Sequence, residues 1–237
     1  MTRTILSLFF LSICILSGAA QNSISVKSSL GIEYAYVDIP ADDQVGQLMF
    51  APNRYYVYGD DQYTMIRKFS NTKEKTLDAL TMEMITQLST GEVWLCITID
   101  QRKLRTSELK PQIGSGLGFN DFENSDYVFS KDARQQILGY SCENWKFTNE
   151  ALTPVSMLIC KASAPGMMLE KWPFFIKKDA QNEGICLGND QFMGNTYKLR
   201  AQRIDVDQKT DLSAYLERFE KVNEAGMNAA IKAYLGF

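Results

Sequence analysis

The sequence predicts a mainly β protein of antiparallel strands that ends in a helical segment. Short runs of alternating apolar and polar residues recur along the chain, separated by Gly, Asp, Asn and Pro, as in consecutive strands joined by turns. From Asp211 onward the apolar spacing changes to that of one face of an amphipathic helix. Because no linker-like stretch separates these regions, we expect a β domain over residues 21–209 with a helical segment, 210–237, packed on it.

Residues 1–20 are predicted to be a signal peptide. Arg3 supplies a positive charge, and the apolar run Ile5–Leu16 is shorter than the ~20 residues of a membrane-spanning helix. Gly18 and Ala20 are small residues at the positions that signal peptidase reads. We therefore expect cleavage before Gln21 and a periplasmic (or secreted) mature chain.

Two alternatives for this leader stay open. It could be retained as an N-terminal membrane anchor, or the chain could be a lipoprotein attached through Cys14. Ile13 is bulky where a lipoprotein signal has a small residue, which disfavours the second alternative. No later segment is apolar over 18 residues, so no transmembrane segment is predicted in the mature chain.

Composition narrows the function classes. The chain of 237 residues contains no His, which excludes His-dependent triads, imidazole proton shuttles and most zinc and haem sites. Its formal net charge is −3, and Lys and Arg are scattered, so no nucleic-acid partner is predicted. No cofactor and no metal site are predicted, and we expect a protein that is not an enzyme.

The individual strands follow from alternation and turn residues. Thr76–Leu88 fits a helix face and a strand equally well, and we interpret it as a strand because its neighbours are strands. Pro111–Asp126 is predicted to be a loop, and the last two strands are predicted to form a hairpin across Gly194-Asn195. The remaining predicted strands are 24–39, 47–50, 55–58, 63–69, 93–99, 127–130, 137–148, 155–162, 184–193 and 196–206.

The C-terminal pattern predicts a helix that begins at Thr210 or Asp211 and is interrupted at Gly226. Its first apolar stripe is Leu212, Tyr215, Leu216, Phe219 and Val222, and its second is Met227, Ala230, Ile231, Tyr234 and Leu235.

Four cysteines remain after the predicted cleavage: Cys96, Cys142, Cys160 and Cys186. An even count in an exported chain permits disulfides, with three connectivities for two bonds. Cys142 and Cys160 lie on two strand-like runs symmetric about Ala151, so antiparallel pairing would place them opposite each other. We predict this pair as the disulfide, the alternative being two buried thiols.

One apolar segment, Pro165–Phe175, lacks strand periodicity and therefore must cover something. It could plug the core, or it could contact a ligand or a partner. The candidate ligand-binding residues are Met167, Met168, Leu169, Trp172, Phe174 and Phe175. The carboxylate pairs Asp42-Asp43 and Asp60-Asp61 are the alternative candidates for carboxylate chemistry, although adjacent aspartates in turns are usually solvated.

Two motifs resemble the LolA/LolB-like superfamily of lipoprotein carriers, in particular its exported Gram-negative members of unknown function. The first is Gln136–Cys142 (QILGYSC), which another strand follows, and the second is Gly184–Gly188 (GICLG), which opens the last hairpin. The sequence departs from the family in that Cys186 replaces Pro, and a helix from Asp211 replaces a short β tail.

The resemblance implies an unclosed, curved antiparallel β-barrel, or half-barrel, whose concave side is covered by helices and holds acyl chains. It also implies that Pro165–Phe175 and the helix at 211–225 are lids. The family's cargo-binding arginine matches no position here, so the resemblance implies an apolar-ligand fold without carrier activity.

Three functions follow as hypotheses. The first is an exported, non-enzymatic protein that shelters a lipid or another apolar ligand. The second is an interaction module of an envelope complex, with the same fold and a filled concavity. The third is a His-free hydrolase that uses carboxylates.

Overall fold

The computed structural model describes residues 21–72, 76, 79–109, 128–149, 152–164, 171–179, 181–193 and 195–237. The predicted signal peptide and the predicted loop at 111–126 lie outside them. Within the described part of the chain, no helix is long and apolar enough to cross a membrane.

The described residues form fifteen strands and three helices. The strands of the first half are β1 Ile24–Ser25, β2 Ser29–Val37, β3 Asn53–Asp60, β4 Tyr63–Ser70, β5 Thr81–Gln87, β6 Val93–Ile99 and β7 Arg102–Thr106. Those of the second half are β8 Val128–Ile137, β9 Tyr140–Asn149, β10 Leu152–Cys160, β11 Ala162–Ser163, β12 Phe175–Asp179, β13 Asn182–Met193, β14 Asn195–Val206 and β15 Glu220–Lys221. The helices are α1 Gln44–Met49, α2 Leu212–Leu216 and α3 Glu224–Leu235.

One large sheet dominates the molecule and confirms the predicted class. Its order is β15-β7-β6-β5-β4-β3-β2-β14-β13-β10-β9-β8, and β12 also pairs with β13. All neighbours are antiparallel except β15 and β7. In the described residues no pairing joins β8 to the opposite edge, so the sheet is an open, curved half-barrel.

The main core lies on one face of this sheet, which we call the inner face. It carries the alternate residues Leu30, Ile32, Tyr34 and Tyr36 of β2, and side chains from both halves of the sheet join them in a single cluster. The opposite side is the outer face, where Glu33 and Tyr56 stand opposite each other across β2 and β3. This two-sided arrangement explains why the alternation of the sequence predicts most strands correctly.

The strand predicted at 47–50 is wrong, because this segment belongs to helix α1. Asp43 caps the helix by accepting a hydrogen bond from the Gly46 N–H at 2.9 Å. The apolar run Leu48-Met49-Phe50 was misleading because only Phe50 faces the core, where it stacks on Tyr197 at 4.3 Å between ring centroids.

The strand predicted from Ile137 to Thr148 is in fact split by a turn. Leu138 and Gly139 have φ of 51° and 83°, the left-handed values that a two-residue hairpin turn requires. The chain therefore reverses between β8 and β9, and Ile137 pairs with Tyr140. A leucine in the left-handed region gives no signal in the sequence, which is why alternation alone missed the turn.

The C-terminal segment wraps around the β7 edge of the sheet. On β6, Trp94 and Cys96 point to α2 on the outer face, whereas Leu95 and Ile97 point to α3 on the inner face. Between the two helices, β15 adds to the β7 edge in parallel. The predicted break at Gly226 is wrong, since the chain leaves the helix after Leu216, where it has to turn around the edge.

Gly226 instead lies in the first turn of α3, where its N–H donates to Asn223 Oδ1 at 2.8 Å. The strand interpretation of Thr76–Leu88 is correct from Thr81 onward.

Candidate functional site

Trp172 lies on the inner face, packed against the backbone of two paired residues. Leu30 and Gly59 are partners across β2 and β3, and the indole rests on Gly59 so closely that a Cβ there would overlap it. The indole Nε1 donates to the Leu30 carbonyl at 3.3 Å. Only 3% of Trp172 is exposed, so the ring is part of the core.

Phe174 fills the next position on the same face. Its ring meets Tyr34 edge-on at 5.0 Å and Trp172 at 6.0 Å between centroids. The Tyr34 hydroxyl donates to the Cys186 carbonyl at 2.7 Å, and the Cys186 N–H donates to the Phe174 carbonyl at 3.0 Å. Burial raises the pKa of Tyr34 well above its usual range, so this phenol is neutral.

These contacts show where the described part of the predicted ligand-binding segment lies. Trp172 and Phe174 are buried in the main core, while Phe175 is half-buried and begins β12 beside β13. Met167, Met168 and Leu169 lie outside the described residues. The ligand contact of all six residues stays a prediction.

The predicted disulfide is confirmed. Cys142 and Cys160 are directly opposite each other on β9 and β10, and their sulfurs are bonded. Cys96 and Cys186 are free and buried, and burial raises the pKa of each thiol to about 12. At neutral pH these two are therefore protonated thiols and poor nucleophiles.

A groove with a cavity volume of about 490 Å³ lies near one end of the second half of the sheet. Its charged groups are paired: Lys146 Nζ lies 2.6 Å from Asp132 Oδ2, and Arg200 Nη2 lies 2.5 Å from Asp190 Oδ1. The described residues that line it are Lys146, Thr148, Pro154, Val155, Ser156, Asp190 and Thr196. Because Lys146 and Asp190 each have a partner, the groove has a mostly apolar exposed lining and no free charged anchor among the described residues.

Three of the four adjacent aspartates proposed for carboxylate chemistry, Asp43, Asp60 and Asp61, have structural partners, and Asp42 is exposed. Asp43 caps α1 and accepts hydrogen bonds from Tyr197 and Asn195. Asp60 accepts from the N–H groups of Gln62 and Tyr63, and Asp61 pairs with Lys209 at 2.8 Å. Among the described residues no group of three or more His, Cys, Asp or Glu side chains could hold a metal ion.

Reasoning from the sequence missed a polar network beneath α2. Glu83 is 1% exposed and pairs with Arg67, and the Tyr215 hydroxyl donates to Glu83 at 2.8 Å and accepts from Arg67 Nη2 at 3.0 Å. Burial, followed by the charge of Glu83, raises the pKa of Tyr215 to about 12. The available signal was a tyrosine within the apolar stripe of α2, at a position that faces the outer side of the sheet.

The chain was compared with protein families, curated proteins and solved structures. No family model and no curated protein matches it. Two crystal forms of PNGF-II resemble it with a TM-score of 0.44 each, at 10% and 11% identity over 87% of this chain. The chain spans about a third of the length of PNGF-II, 33% and 34% in the two forms.

A LolA superfamily protein, NE2245 from Nitrosomonas europaea, is also similar to this chain. The TM-score is 0.26 and the identity 11%, with 82% of this chain and 92% of that chain covered. The described geometry defines the chain itself as an open antiparallel half-barrel whose inner face holds its own aromatic side chains.

Proposed function

We propose that this chain is an exported, non-enzymatic interaction module that works by binding another component of the cell envelope. The observation that carries the proposal is the burial of two aromatic side chains on the inner face. Trp172 and Phe174, 3% and 1% exposed, take the place that an apolar ligand would occupy in a half-barrel. In a half-barrel whose inner face holds its own side chains, the outer surfaces and edges are available to bind a partner.

The chemistry of the side chains supports a role without catalysis. The chain contains no His, and its two free thiols are buried with raised pKa values. The buried carboxylate of Glu83 is neutralised by Arg67, as expected for a structural ion pair. Each of these groups contributes to packing, and a binding role requires none of them to react.

Export is supported by the predicted leader and by the disulfide. A bond between Cys142 and Cys160 persists where the surroundings are oxidising, as in the periplasm or outside the cell.

Sheltering of an acyl chain is the second candidate function. The observation that favours it is that Trp172 and Phe174 belong to a segment whose described strand pairing with the sheet is the five residues of β12. If that segment moved away, it would uncover Leu30, Val57 and Ile66, all apolar residues of the inner face. Each acyl CH₂ buried there would contribute about 0.8 kcal/mol.

Native mass spectrometry of the protein purified from its own compartment separates the two candidates. The interaction module should carry no lipid and should not bind a fluorescent fatty acid, whereas Trp172→Ala should bind it in the space vacated by the indole. Trp94→Ala, which removes an indole from the outer face, is the matched control and should not bind it. Lipid that co-purifies with the wild-type protein and is lost in Trp172→Asp would overturn the proposal and favour the carrier.

A further inference from the structure

Helix α1 presents its large apolar side chains to solvent. Val45 is 58% exposed, Leu48 71% and Met49 50%, and their spacing places them on one side of the helix. Among the residues that the structure describes, six large hydrophobic side chains are exposed, and three of them belong to this helix of six residues. Single exposed apolar residues need no explanation, but a cluster of them indicates a contact surface.

The orientation of α1 is fixed by the residues on which the helix packs. Gly46 is buried, and a Cβ at this position would lie 2.7 Å from Tyr197 Cε1 and 2.8 Å from Ile39 Cγ2. Phe50 at the end of the helix stacks on Tyr197, and Asp43 at its start accepts from the Tyr197 hydroxyl at 2.8 Å. The helix therefore cannot rotate to bury Leu48 without losing this packing.

The turn before the helix extends the apolar surface. Gln47 Nε2 donates to the carbonyls of Ile39 and Pro40 at 3.2 and 3.1 Å, which fixes the turn beside α1. Pro40 and Ala41 are exposed there. We call the surface formed by Pro40, Ala41, Val45, Leu48 and Met49 the α1 patch.

The border of the α1 patch is acidic. Residues 38–49 contain Asp38, Asp42 and Asp43 and no Lys or Arg. Hydrogen bonds from the Gly46 N–H, Tyr197 and Asn195 lower the pKa of Asp43, so it stays charged at neutral pH. Lys198 Nζ lies 3.5 Å from Asp38, and the exposed Asp42 remains for a partner's cation.

We infer that the α1 patch is a docking surface for a partner-protein segment with apolar side chains flanked by Lys or Arg. This rests on the proposed function and names the surface and the kind of partner. An anionic lipid surface would be repelled by the acidic border. A second copy of this chain, docked through the same patch, would bring two acidic borders together. A segment with apolar and basic side chains matches both the apolar centre and the acidic border of the α1 patch.

The probe is a fluorescein-labelled amphipathic peptide of Leu and Lys, compared with an analogue that has Glu in place of Lys. Its binding is measured by anisotropy at low and high salt. We expect the Lys peptide to bind and the Glu peptide to fail. Leu48→Ser should weaken binding about tenfold, which corresponds to about 1.4 kcal/mol, because it removes the most exposed large hydrophobic side chain of the patch. Asp42→Asn should weaken it about two- to fivefold and reduce its salt dependence.

Leu138→Ser is the matched control, since Leu138 is 48% exposed on the distant β8–β9 turn. It should bind the peptide as the wild type does, and all variants should have wild-type denaturation midpoints. The inference is overturned if Leu48→Ser binds normally. It is also overturned if the patch instead mediates binding to phosphatidylglycerol vesicles or concentration-dependent dimerisation, each lost in Leu48→Ser.

Failure of this inference is distinguishable from failure of the proposed function. If Leu48→Ser and wild type cross-link equally to one envelope protein, the docking surface is elsewhere and the interaction role stands. If lipid occupies the inner face in native mass spectra, the proposed function itself fails.

Discussion

A glycine at position 59 leaves room for the indole of Trp172 on the inner face. A Cβ at this position would overlap the ring, so each residue depends on the other. Gly59 is within β3, where strands usually avoid Gly, and close approach of another group is the physical reason for such an exception. The pair fixes how deeply the segment Trp172–Phe174 enters the core.

This dependence predicts a strong coupling in a double-mutant cycle. Gly59→Ala should destabilise the fold by about 1–3 kcal/mol through overpacking. Trp172→Ala should cost about 3–5 kcal/mol through the cavity that it leaves. In the Trp172→Ala background, Gly59→Ala should cost much less, as measured by urea denaturation.

Gly31→Ala is the control for that cycle, because its Cβ would meet the ring of Tyr56 on the outer face. Its cost should be the same with and without Trp172. Additive effects of Gly59→Ala and Trp172→Ala would contradict the packing described above.

Tyr215 predicts a loss of stability at alkaline pH. Its pKa is raised to about 12 from an ordinary value of 10.0, so the folded state holds the phenolic proton more tightly than the unfolded state. The resulting stabilisation is complete below pH 10 and is lost as the pH rises through about 12. Tyr58, whose pKa burial also raises to about 12, adds to the same loss.

The measurement is the free energy of unfolding from pH 8 to 12 for the wild type and for Tyr215→Phe. The variant should be less stable by about 1–2 kcal/mol at pH 8, since it leaves Glu83 and Arg67 without the hydroxyl. Its stability should then decline less steeply between pH 10 and 12. An equal decline in the two proteins would show that Tyr215 does not titrate as described.

At the scale of elements, the disulfide links β9, which carries the exposed edge strand β8, to β10. Cys142 and Cys160 are 18 residues apart, so the bond closes a short loop. We expect the double variant Cys142→Ala/Cys160→Ala to lose about 3 kcal/mol of stability. Guanidinium denaturation measures this.

The wild type treated with dithiothreitol provides the comparison for that variant. Reduction should lower the wild-type midpoint towards that of the double variant, whose own midpoint should not respond. A wild-type midpoint that is insensitive to complete reduction would show that the bond adds no stability.

The whole molecule depends on a C-terminal segment that covers both faces of one sheet edge. Met227 of α3 is fully buried against Leu95, Ile97 and Leu104 on the inner face, while α2 covers the outer face. Between the two helices, β15 occupies part of the hydrogen-bonding edge of β7, which would otherwise be open to another strand. The C-terminal segment therefore protects the sheet as well as completing its core.

Met227→Asp should release α3 and expose this edge. We expect a loss of at least about 2 kcal/mol, binding of an apolar dye and self-association in size-exclusion chromatography. Asn228→Asp, at the exposed neighbouring position, is the control and should behave as the wild type. A monomeric, dye-free Met227→Asp protein would contradict this role of α3.

Local pattern was sufficient for much of the fold and for little of the candidate site. Alternation predicts β6 and the β13–β14 hairpin, and symmetry about Ala151 predicts the disulfide, because each depends on neighbours close in sequence. Alternation fails at α1, where Leu48 and Met49 face solvent. It also misses the network of Arg67, Glu83 and Tyr215. Arg67 and Glu83 are partners across β4 and β5, but Tyr215 joins them only after the C-terminal segment has crossed the outer face.

The amino-acid order alone establishes a mainly β chain, a helical C-terminus and a cysteine pair opposite each other, since these depend on side-chain period and on short-range pairing. The tertiary structure decides what fills the inner face. An apolar segment such as Trp172–Phe174 has the same sequence pattern whether its side chains line a cavity or fill it. Only the packing of its rings against Gly59 and Tyr34 distinguishes these cases. The outward orientation of α1 likewise depends on Tyr197, more than 140 residues away in the chain, because burial is decided by partners that sequence proximity does not reveal.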